Sequence, residues 1–298
     1  MDGTSRVKTV LQENRVALGV WQLLPGSNLA RILARAGYDW VLVDCEHGNI
    51  DDAAMHESVA AIAAYGVSPI VRVPDFQSWM IKRASKHLRV SICEPKHPVL
   101  RLTFMARVGT LDAGAHGVLA PLVRTVADVR DFVDAARFPP QGRRGFGSPF
   151  PMDRFAVGLT ASQYLEQANA TLLLAVQIET QEALEAADAI AAVDGLDLLF
   201  VGPFDLGNSI GHPVKNGIID AALEEAIATV LRAAHAAGKK AGVYCGDGAQ
   251  AKHYVDMGFD LVNVLTDVGA LSASLTRELA TVAATVPSPP EARGPYGN

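Results

Sequence analysis

The sequence predicts a single (β/α)8 TIM barrel, an α/β fold in which eight parallel strands alternate with helices. Short apolar runs alternate with segments of helical periodicity along the chain, which is the pattern of βα units around a parallel sheet. Eight such runs fall within roughly 265 residues, a normal length for this barrel. Several helical segments end in glycine, at Gly37, Gly66, Gly238 and Gly258, which suits a left-handed residue that closes the helix before the next strand.

The elements follow one another in a regular order. The predicted strands are Ala17–Trp21, Trp40–Cys45, Pro69–Val73, Gly117–Pro121, Leu172–Ile178, Leu196–Val201, Lys240–Tyr244 and Leu261–Leu265. The predicted helices between them include Asn28–Ala36, Asp51–Ala64, Val126–Arg137, Gln181–Ala192, Leu223–Ala236 and Ala249–Met257. A doubly wound open sheet is the competing fold. It usually carries a glycine-rich fingerprint after its first strand, where this chain reads Trp-Gln-Leu-Leu-Pro-Gly.

One domain is expected over residues 1–286, with an atypical insertion at 85–110 and a disordered tail at 287–298. The segment 85–110 holds five Lys or Arg, two His and one Glu in an otherwise acidic chain. Pro95 and Pro98 break any helix across it. Residues 79–84 joined directly to 111–114 would read as one helix, so the segment reads as an inserted loop or a retained intron. The tail is rich in Pro and Gly.

Composition narrows the possible partners and the compartment. The net charge of −6 and the pI near 5.7 argue against nucleic acid, whose phosphates require a basic surface. No apolar run approaches the length of a membrane span, and residues 1–20 lack the order of a signal peptide. Three cysteines, Cys45, Cys93 and Cys245, are too few for a disulfide framework and favour a reducing compartment. A cytoplasmic enzyme is expected.

Two carboxylates stand at the ends of successive apolar strands. Glu179 ends Val-Gln-Ile-Glu-Thr at 176–180, and Asp205 lies in Val-Gly-Pro-Phe-Asp-Leu at 201–206. An unpaired charge at the end of a buried strand is too costly to be core filling. Two such acids indicate a hard divalent cation held by oxygen ligands, Mg²⁺ or Mn²⁺.

The remaining polar candidates lie at the same end of the predicted strands, where barrel enzymes build their sites. They are Asp44, Glu46 and His47 after the second strand, Arg72 in the third and Gln177 in the fifth. A single buried acid or arginine is more often part of a structural ion pair. Five or more on one rim are hard to explain in that way. Trp21, at the end of the first strand, is either a pocket wall or an ordinary core aromatic.

This set of residues suits chemistry at an α-keto acid. A divalent metal on two carboxylates leaves positions for the keto and carboxylate oxygens of such a substrate. Arg72 could add a second positive charge where an enolate oxygen develops. His47, oriented by Asp44, is a plausible base. Together they imply that a carbon–carbon bond next to a ketone is made or broken.

The sequence resembles the HpcH/HpaI aldolases, metal-dependent class II pyruvate aldolases, from about residue 20 to 271. The motifs that carry the resemblance are Gly-Tyr-Asp-Trp-Val-Leu-Val-Asp-Cys-Glu-His-Gly-Asn at 37–49, Pro-Ile-Val-Arg-Val-Pro at 69–74, Gly-Ala-His-Gly-Val-Leu-Ala-Pro-Leu-Val-Arg-Thr at 114–125, Phe-Pro-Pro-Gln-Gly-Arg-Arg-Gly-Phe-Gly-Ser at 138–148, and the two segments that hold Glu179 and Asp205. Their number and order make the resemblance specific. The second motif and the Trp21-Gln22 start are most similar to the macrophomate synthase-like members.

The resemblance implies a barrel of the phosphoenolpyruvate/pyruvate-domain type, a small keto-acid substrate and a homo-oligomer, specifically a hexamer. It assigns residues to roles: Glu179 and Asp205 as magnesium ligands, Arg72 as enolate stabiliser, and His47 with Asp44 as the acid/base pair. Glu46, Gln177, Trp21, Phe204 and Asp205 would bind or border the substrate. The family usually carries a small residue at position 204, so Phe204 leaves the acceptor substrate open.

The function expected is a metal-dependent carbon–carbon lyase that works through a pyruvate enolate, by aldol cleavage or addition of 4-hydroxy-2-oxo acids, with oxaloacetate decarboxylation. One alternative is a macrophomate synthase-like enzyme of secondary metabolism that forms carbon–carbon bonds. A citrate-lyase-like enzyme for CoA thioesters ranks lower, because the sequence shows no basic groove for the CoA phosphates. Another alternative is an inactive chain disrupted by the segment 85–110.

Overall fold

Eight parallel strands close into a barrel in strict chain order, which confirms the predicted fold class. The computed structural model describes residues 5–74 and 110–283. The strands are β1 (Ala17–Gln22), β2 (Trp40–Asp44), β3 (Ser68–Arg72), β4 (Gly117–Ala120), β5 (Leu173–Ile178), β6 (Leu198–Val201), β7 (Lys240–Val243) and β8 (Leu261–Thr266). Each pairs with the next, and β8 pairs with β1. Because all strands are parallel, their carboxyl ends meet on one rim.

The register of the strands fixes which rim residues become neighbours. On β2 and β3, Asp44 lies opposite Arg72. On β5 and β6, Gln177 lies opposite Phe200. The β1–β8 pair shifts register between Gly19 and Val20. Thus an acid and an arginine far apart in the sequence are placed side by side at the carboxyl rim.

Helices surround the strands, and the six helices predicted from periodicity are present with ends within two residues of those expected. They are α1 (Arg6–Gln12), α2 (Ser27–Ala34), α3 (Asp52–Ala63), α4 (Val126–Ala136), α5 (Pro151–Phe155), α6 (Ala161–Thr171), α7 (Gln181–Glu185), α8 (Ala187–Ala191), α9 (Pro203–Ser209), α10 (Ala221–Ala236), α11 (Gly248–Met257) and α12 (Asp267–Ala283). The predicted helix Gln181–Ala192 is therefore two short helices. Ala186, with φ −97° and ψ 9°, separates them.

The helix ends are specified by local side chains and by glycine. The Asp51 carboxylate accepts a hydrogen bond from the Ala54 amide at the start of α3, and Thr125 forms a capping box with Asp128 at the start of α4. The four glycines that the sequence places after helices have positive φ of 100°, 68°, 70° and 107° at 37, 66, 238 and 258. Only glycine adopts this region without strain, so the predicted helix terminations are confirmed.

The interior of the barrel is filled and forms a solid floor beneath the rim. Trp40, Leu42 and Ile70 are among the buried side chains inside it, and α1 packs Val7 and Val10 into the same cluster from the amino-terminal end. A Cβ atom at Gly19 would lie 2.1 Å from the Trp40 ring, so β1 needs glycine there. Outside the strands, the helices bury larger apolar clusters.

Two predictions from the sequence fall largely or wholly beyond the described residues. The insertion at 85–110 lies there apart from its last residue, Thr110, and the tail at 287–298 lies there entirely. Across residues 5–74 and 110–283, no helix combines the length and apolar character needed to cross a membrane.

Candidate active site

A cavity of about 260 Å³ opens at the carboxyl rim of the barrel. Its size is below the roughly 300–1,000 Å³ common for drug-sized ligands, so it suits a small substrate. The lining residues come from seven of the eight strand ends or the loops that follow them: Trp21, Leu23, Asp44, His47, Arg72, Gln177, Gly202, Pro203, Phe204, Asp205, Tyr244 and Thr266. Seven of the predicted site residues are among them.

Arg72 is the positive centre of the cavity and is held firmly in place. Its Nε donates to Asp44 Oδ1 at 3.0 Å, and its Nη2 donates to Asp44 Oδ2. Its guanidinium carbon lies 4.9 Å from the centroid of the Trp21 ring, and the Trp21 indole also donates to Asp44 Oδ2, at 2.9 Å. Arg72 is 7% exposed. A bidentate pair of this kind fixes the direction of the guanidinium as well as its position.

The Asp44 carboxylate is paired with Arg72, and its contact with His47 is with the backbone amide. The roles of His47 and Asp44 as an acid/base pair stay a prediction. The carboxylate of Asp44 already accepts from Arg72 and Trp21, and Oδ1 also accepts from the backbone amides of Glu46 and His47 at 3.0 and 3.2 Å. These amide bonds turn the chain sharply after β2, and the His47 side chain, 65% exposed, extends to the rim. Its Nε2 lies 3.8 Å from Glu46 Oε2. Asp44 therefore orients the turn that carries His47, not its imidazole.

Gln177 connects Arg72 with Glu179. The Gln177 Oε1 accepts from Arg72 Nη1 at 3.4 Å, and its Nε2 donates to Glu179 Oε2 at 2.7 Å. The second oxygen of Glu179 accepts from the backbone amide of Leu122 at 2.6 Å. Leu122 has a left-handed backbone, with φ 53°, which is uncommon outside Gly, Asn and Asp. The carboxylate of Glu179 is thus directed by two donors and keeps other lone pairs free for a ligand.

Acidic side chains outnumber basic ones around the cavity, where Asp44, Glu46, Glu179 and Asp205 surround Arg72. Burial raises the pKa of Glu179 to about 7, and the carboxylate of Asp205 adds to this rise. Burial also raises the pKa of Glu46 to about 8, against the opposing effect of Arg72. Although Arg72 Nη1 lies 2.9 Å from Glu46 Oε2, the pair is not aligned as a hydrogen bond. Raised pKa values in a cleft mark candidate functional groups, and here they indicate a place for another cation.

Asp44 behaves in the opposite way. Its burial acts to raise the pKa, but the hydrogen bonds and charge of Arg72 outweigh that effect and hold the pKa of this carboxyl below its usual range. Asp44 is therefore ionised and balances Arg72. The carboxylates of Glu46, Glu179 and Asp205 are left without an equivalent partner of their own.

The residues at this rim fit a magnesium or manganese ion. Glu179 and Asp205 offer only oxygen atoms, which these ions prefer. Within the described ranges, no three His, Cys, Asp or Glu side chains form a group that could hold a metal ion. Mg²⁺ commonly uses one or two carboxylates and completes its shell with water and substrate. A Cβ atom at Gly202 would lie 2.6 Å from Glu179 Oε2, so glycine keeps the space beside this carboxylate open.

Several residues of the cavity were not singled out from the sequence. Tyr244, Leu23, Pro203 and Thr266 carry no charge, and apolar or hydroxyl side chains at strand ends resemble ordinary core and loop residues. For Tyr244, the only sequence signal of a place in the cavity was its position at the end of a predicted strand. The amide of Leu122 could not be found in this way, because its role depends on backbone conformation and not on its side chain.

Comparison with known proteins shows the family of the chain. Residues 17–97 and 96–273 match the sequence model of the family described as HpcH/HpaI aldolase/citrate lyase. The chain belongs to this family. A hydroxypyruvate/pyruvate aldolase of Rhizorhabdus wittichii is 36% identical over 276 residues, which are 93% of this chain and 98% of that protein.

Other known proteins are similar over nearly the whole chain. A 2-keto-3-deoxy-L-rhamnonate aldolase of Klebsiella pneumoniae is 33% identical, over 92% of this chain and 91% of its own length. The crystal structure of an HpcH/HpaI aldolase/citrate lyase family protein from Burkholderia cenocepacia superposes with a TM-score of 0.76 at 33% identity, covering 94% of this chain and 100% of that one. The predicted family is thereby confirmed, and the named relatives are aldolases.

Proposed function

We propose that this protein is a divalent-metal-dependent class II aldolase that works through a pyruvate enolate. It would cleave or form 4-hydroxy-2-oxo acids and would also decarboxylate oxaloacetate. The observation that carries the proposal is the fixed Arg72 in the lining of a small cavity, with Asp205 in the same lining and Glu179 linked to Arg72 through Gln177. The aldolase relatives support the same class of reaction.

Arg72 would stabilise the negative charge that develops on the keto oxygen. Because Asp44 and Trp21 already hold the guanidinium, it needs no reorientation when the charge appears, which is the condition for strong electrostatic stabilisation. Gln177 would keep Arg72 and Glu179 at a constant separation through its two hydrogen bonds. Glu46 would limit the movement of Arg72 from the other side.

His47 would move the proton. In cleavage, its imidazole takes the proton of the C4 hydroxyl, the C3–C4 bond breaks, and the bonding electrons pass to the keto acid fragment as its enolate. The aldehyde leaves, and C3 is then protonated to give pyruvate. The exposed position of the His47 side chain at the rim suits proton exchange with solvent between turnovers.

Glu179 and Asp205 would hold Mg²⁺ or Mn²⁺, as two carboxylates at neighbouring strand ends can. When bound, the ion supplies a Lewis acid for the oxygens of the keto acid. The backbone amides of Phe204 and Asp205, at the start of α9, have no partner inside their helix and would bind the keto-acid carboxylate. The macrophomate synthase-like activity would share this donor half and differ in the acceptor; it stays a prediction, as does the inactive-chain alternative.

The test is a screen of purified protein with pyruvate and several aldehydes, and separately with oxaloacetate, with Mg²⁺, with Mn²⁺ and with EDTA. We expect turnover that needs the metal, and none with Glu179→Gln at ordinary Mg²⁺ concentrations. Full activity in metal-free buffer would refute metal dependence. A soluble, folded protein that turns over no keto acid would favour the inactive chain.

We also propose a homo-oligomer, a hexamer by resemblance, in the cytoplasm. Helix α12 buries only Asp267 against its own barrel. It exposes Val268, Leu271, Leu275, Leu279 and Val282, whose spacing forms one apolar stripe. A stripe of this kind favours contact with another protomer. Sedimentation analysis at several protein concentrations would show the state; a strict monomer would contradict the proposal.

A further inference from the structure

Three aromatic side chains form one continuous side of the cavity. Trp21, Tyr244 and Phe204, here named the aromatic wall, all line it. The Trp21 and Tyr244 rings meet edge to face with centroids 5.3 Å apart, and the Tyr244 and Phe204 rings meet at 6.2 Å. The wall begins at the Trp21 ring against which Arg72 lies and ends at the rim. It therefore extends from the reacting centre to the opening.

Exposure increases along the wall. Trp21 is 2% exposed and belongs to the barrel core. Tyr244 is half-buried, and Phe204 is 53% exposed. Phe204 lies in the first turn of α9, whose buried residues are Pro203, Leu206 and Gly207. The Phe204 ring thus lies at the mouth of the cavity, where it contacts the ring of Tyr244.

The cavity has two chemically different halves. Arg72, Asp44, His47, Gln177 and Asp205 make one half charged and polar, and the proposed keto acid belongs there. The aromatic wall makes the other half, together with Leu23 and Pro203.

Few polar groups are available in the second half. The Thr266 hydroxyl already accepts a hydrogen bond from the Gly269 amide. The Tyr244 hydroxyl makes no hydrogen bond within residues 5–74 and 110–283. Burial raises the pKa of Tyr244, so its phenol is neutral. A ligand that brings several hydroxyl groups here would leave most of them unpaired, which is unfavourable.

We propose that the aromatic wall is the acceptor subsite and that Phe204 and Tyr244 determine its specificity for an aldehyde with a planar aromatic substituent. The inference rests on the proposed function, since it concerns the second substrate of the same site. Offset or edge-to-face contacts with the two rings would hold the substituent. The aldehyde carbon would face the polar half, and Tyr244 could donate one hydrogen bond. Small polyhydroxylated aldehydes are the disfavoured class.

The test compares benzaldehyde with glyceraldehyde as acceptors for pyruvate. The parent protein should have the higher kcat/KM with benzaldehyde. Phe204→Ala should lower the benzaldehyde-to-glyceraldehyde ratio about tenfold, a change of the size that aromatic contacts and their buried area give. Tyr244→Leu, which keeps an apolar side chain but removes the ring, should lower the ratio in the same direction.

Phe150→Ala is the matched control. Phe150 is 51% exposed, close to the exposure of Phe204, but its ring meets His56 of α3 edge to face and does not line the cavity. It should leave the ratio unchanged. A ratio that is equal in the parent, Phe204→Ala and Tyr244→Leu would overturn the inference, as would a parent that prefers glyceraldehyde.

Binding of benzaldehyde, measured by calorimetry before any keto acid is added, separates this inference from the proposed function. If the parent binds benzaldehyde and both wall variants weaken it while Phe150→Ala does not, the subsite stands even without aldol turnover. If turnover occurs but benzaldehyde binding is equal in all four proteins, the aldolase assignment stands and the aromatic subsite is wrong.

Discussion

Arg72 is held in one orientation by Asp44, Trp21 and Gln177, whereas His47 extends freely to the rim. Removal of each side chain should therefore have a different effect on the activities of the enzyme. A fixed charge serves every reaction that passes through the enolate. A base serves only the steps that move a proton, and decarboxylation makes the enolate without taking any proton from the substrate, whereas cleavage removes the proton of the C4 hydroxyl.

We predict that Arg72→Ala impairs both aldol cleavage and oxaloacetate decarboxylation. His47→Ala should reduce aldol cleavage by about 10²–10⁴, the usual contribution of general acid–base catalysis, and affect decarboxylation much less. Steady-state kinetics of both reactions for both variants provide the measurement. Equal losses in both reactions for both variants would show that the roles are assigned wrongly.

The buried acids predict a pH-dependent stability. Glu179 and Glu46 have pKa values of about 7 and about 8, against 4.5 for an ordinary glutamate. Between pH 4.5 and these raised values, Glu179 and Glu46 hold more protons in the folded protein than in the unfolded chain. They therefore make the free energy of unfolding fall as pH rises. Magnesium binding to Glu179 would displace the proton of that carboxyl. The increase in Tm that Mg²⁺ causes should thus be larger at about pH 8 than at about pH 5, where the ligands are more often protonated.

Glu179→Gln is the variant that isolates this effect. Without metal, its Tm should fall less between pH 5 and 8 than that of the parent, because one titrating carboxyl is gone. Differential scanning fluorimetry over this range is sufficient. A parent and variant with the same pH dependence would show that titration of Glu179 does not contribute to stability between pH 5 and 8.

Among the elements, α12 and the loop after β1 are joined through one carboxylate. Asp267 Oδ2 accepts from the amides of Leu23 and Leu24 at 3.0 and 2.9 Å, and its Oδ1 accepts from the Val268 amide. Asp267 is 2% exposed. Leu23 lines the cavity, so this acid supports the loop at the rim although it does not itself line the site.

We expect Asp267→Ala to destabilise the protein by about 2 kcal/mol, since hydrogen bonds to a charged group contribute roughly 1.5–3 kcal/mol and two loop amides lose their partner. Thermal unfolding should show a Tm lower by about 4–8 °C, using about 2–4 °C per kcal/mol for a large domain. Asp267→Asn, which can still accept hydrogen bonds, should lose less. A Tm equal to that of the parent would show that the loop is held by other contacts.

The elements themselves could be predicted because buried parallel strands read as uninterrupted apolar runs and glycines mark the helix ends. The observed ends of single strands differ from the predicted ends by one or two residues, because a strand ends where its hydrogen bonds to the neighbouring strands stop. The division of Gln181–Ala192 at Ala186 could not be predicted, because no Gly or Pro marks it.

The rim positions of the site residues followed from their places after strands. The Asp44–Arg72 pairing did not, because it depends on the register between β2 and β3.

For the whole molecule, β3 and β4 are adjacent strands, with Ile70 opposite Gly117, so the barrel closes through residues on either side of 85–110. Both pieces of the family match meet within this segment, at 96–97. Long surface loops cost little additional closure entropy. We predict that deleting residues 85–110 preserves or raises soluble yield and Tm and leaves metal-dependent stabilisation intact.

Two measurements decide this prediction. A deletion variant that fails to fold would show that the segment is required. Sequencing of the mature transcript is independent of folding: a message that retains these codons would exclude a retained intron and leave a genuine loop.

The filled interior and the α1 helix leave the cavity open only at the carboxyl rim. Arg72 and Gln177 lie at its buried end and Phe204 at its mouth, so the two reactants share one route, with the keto acid further in. Turnover should consequently be ordered: the aldehyde departs first in cleavage, and pyruvate follows. In product-inhibition kinetics, pyruvate should then compete with the 4-hydroxy-2-oxo acid substrate, and the aldehyde should inhibit noncompetitively. Competitive inhibition by the aldehyde would mean that the order of release is reversed or random.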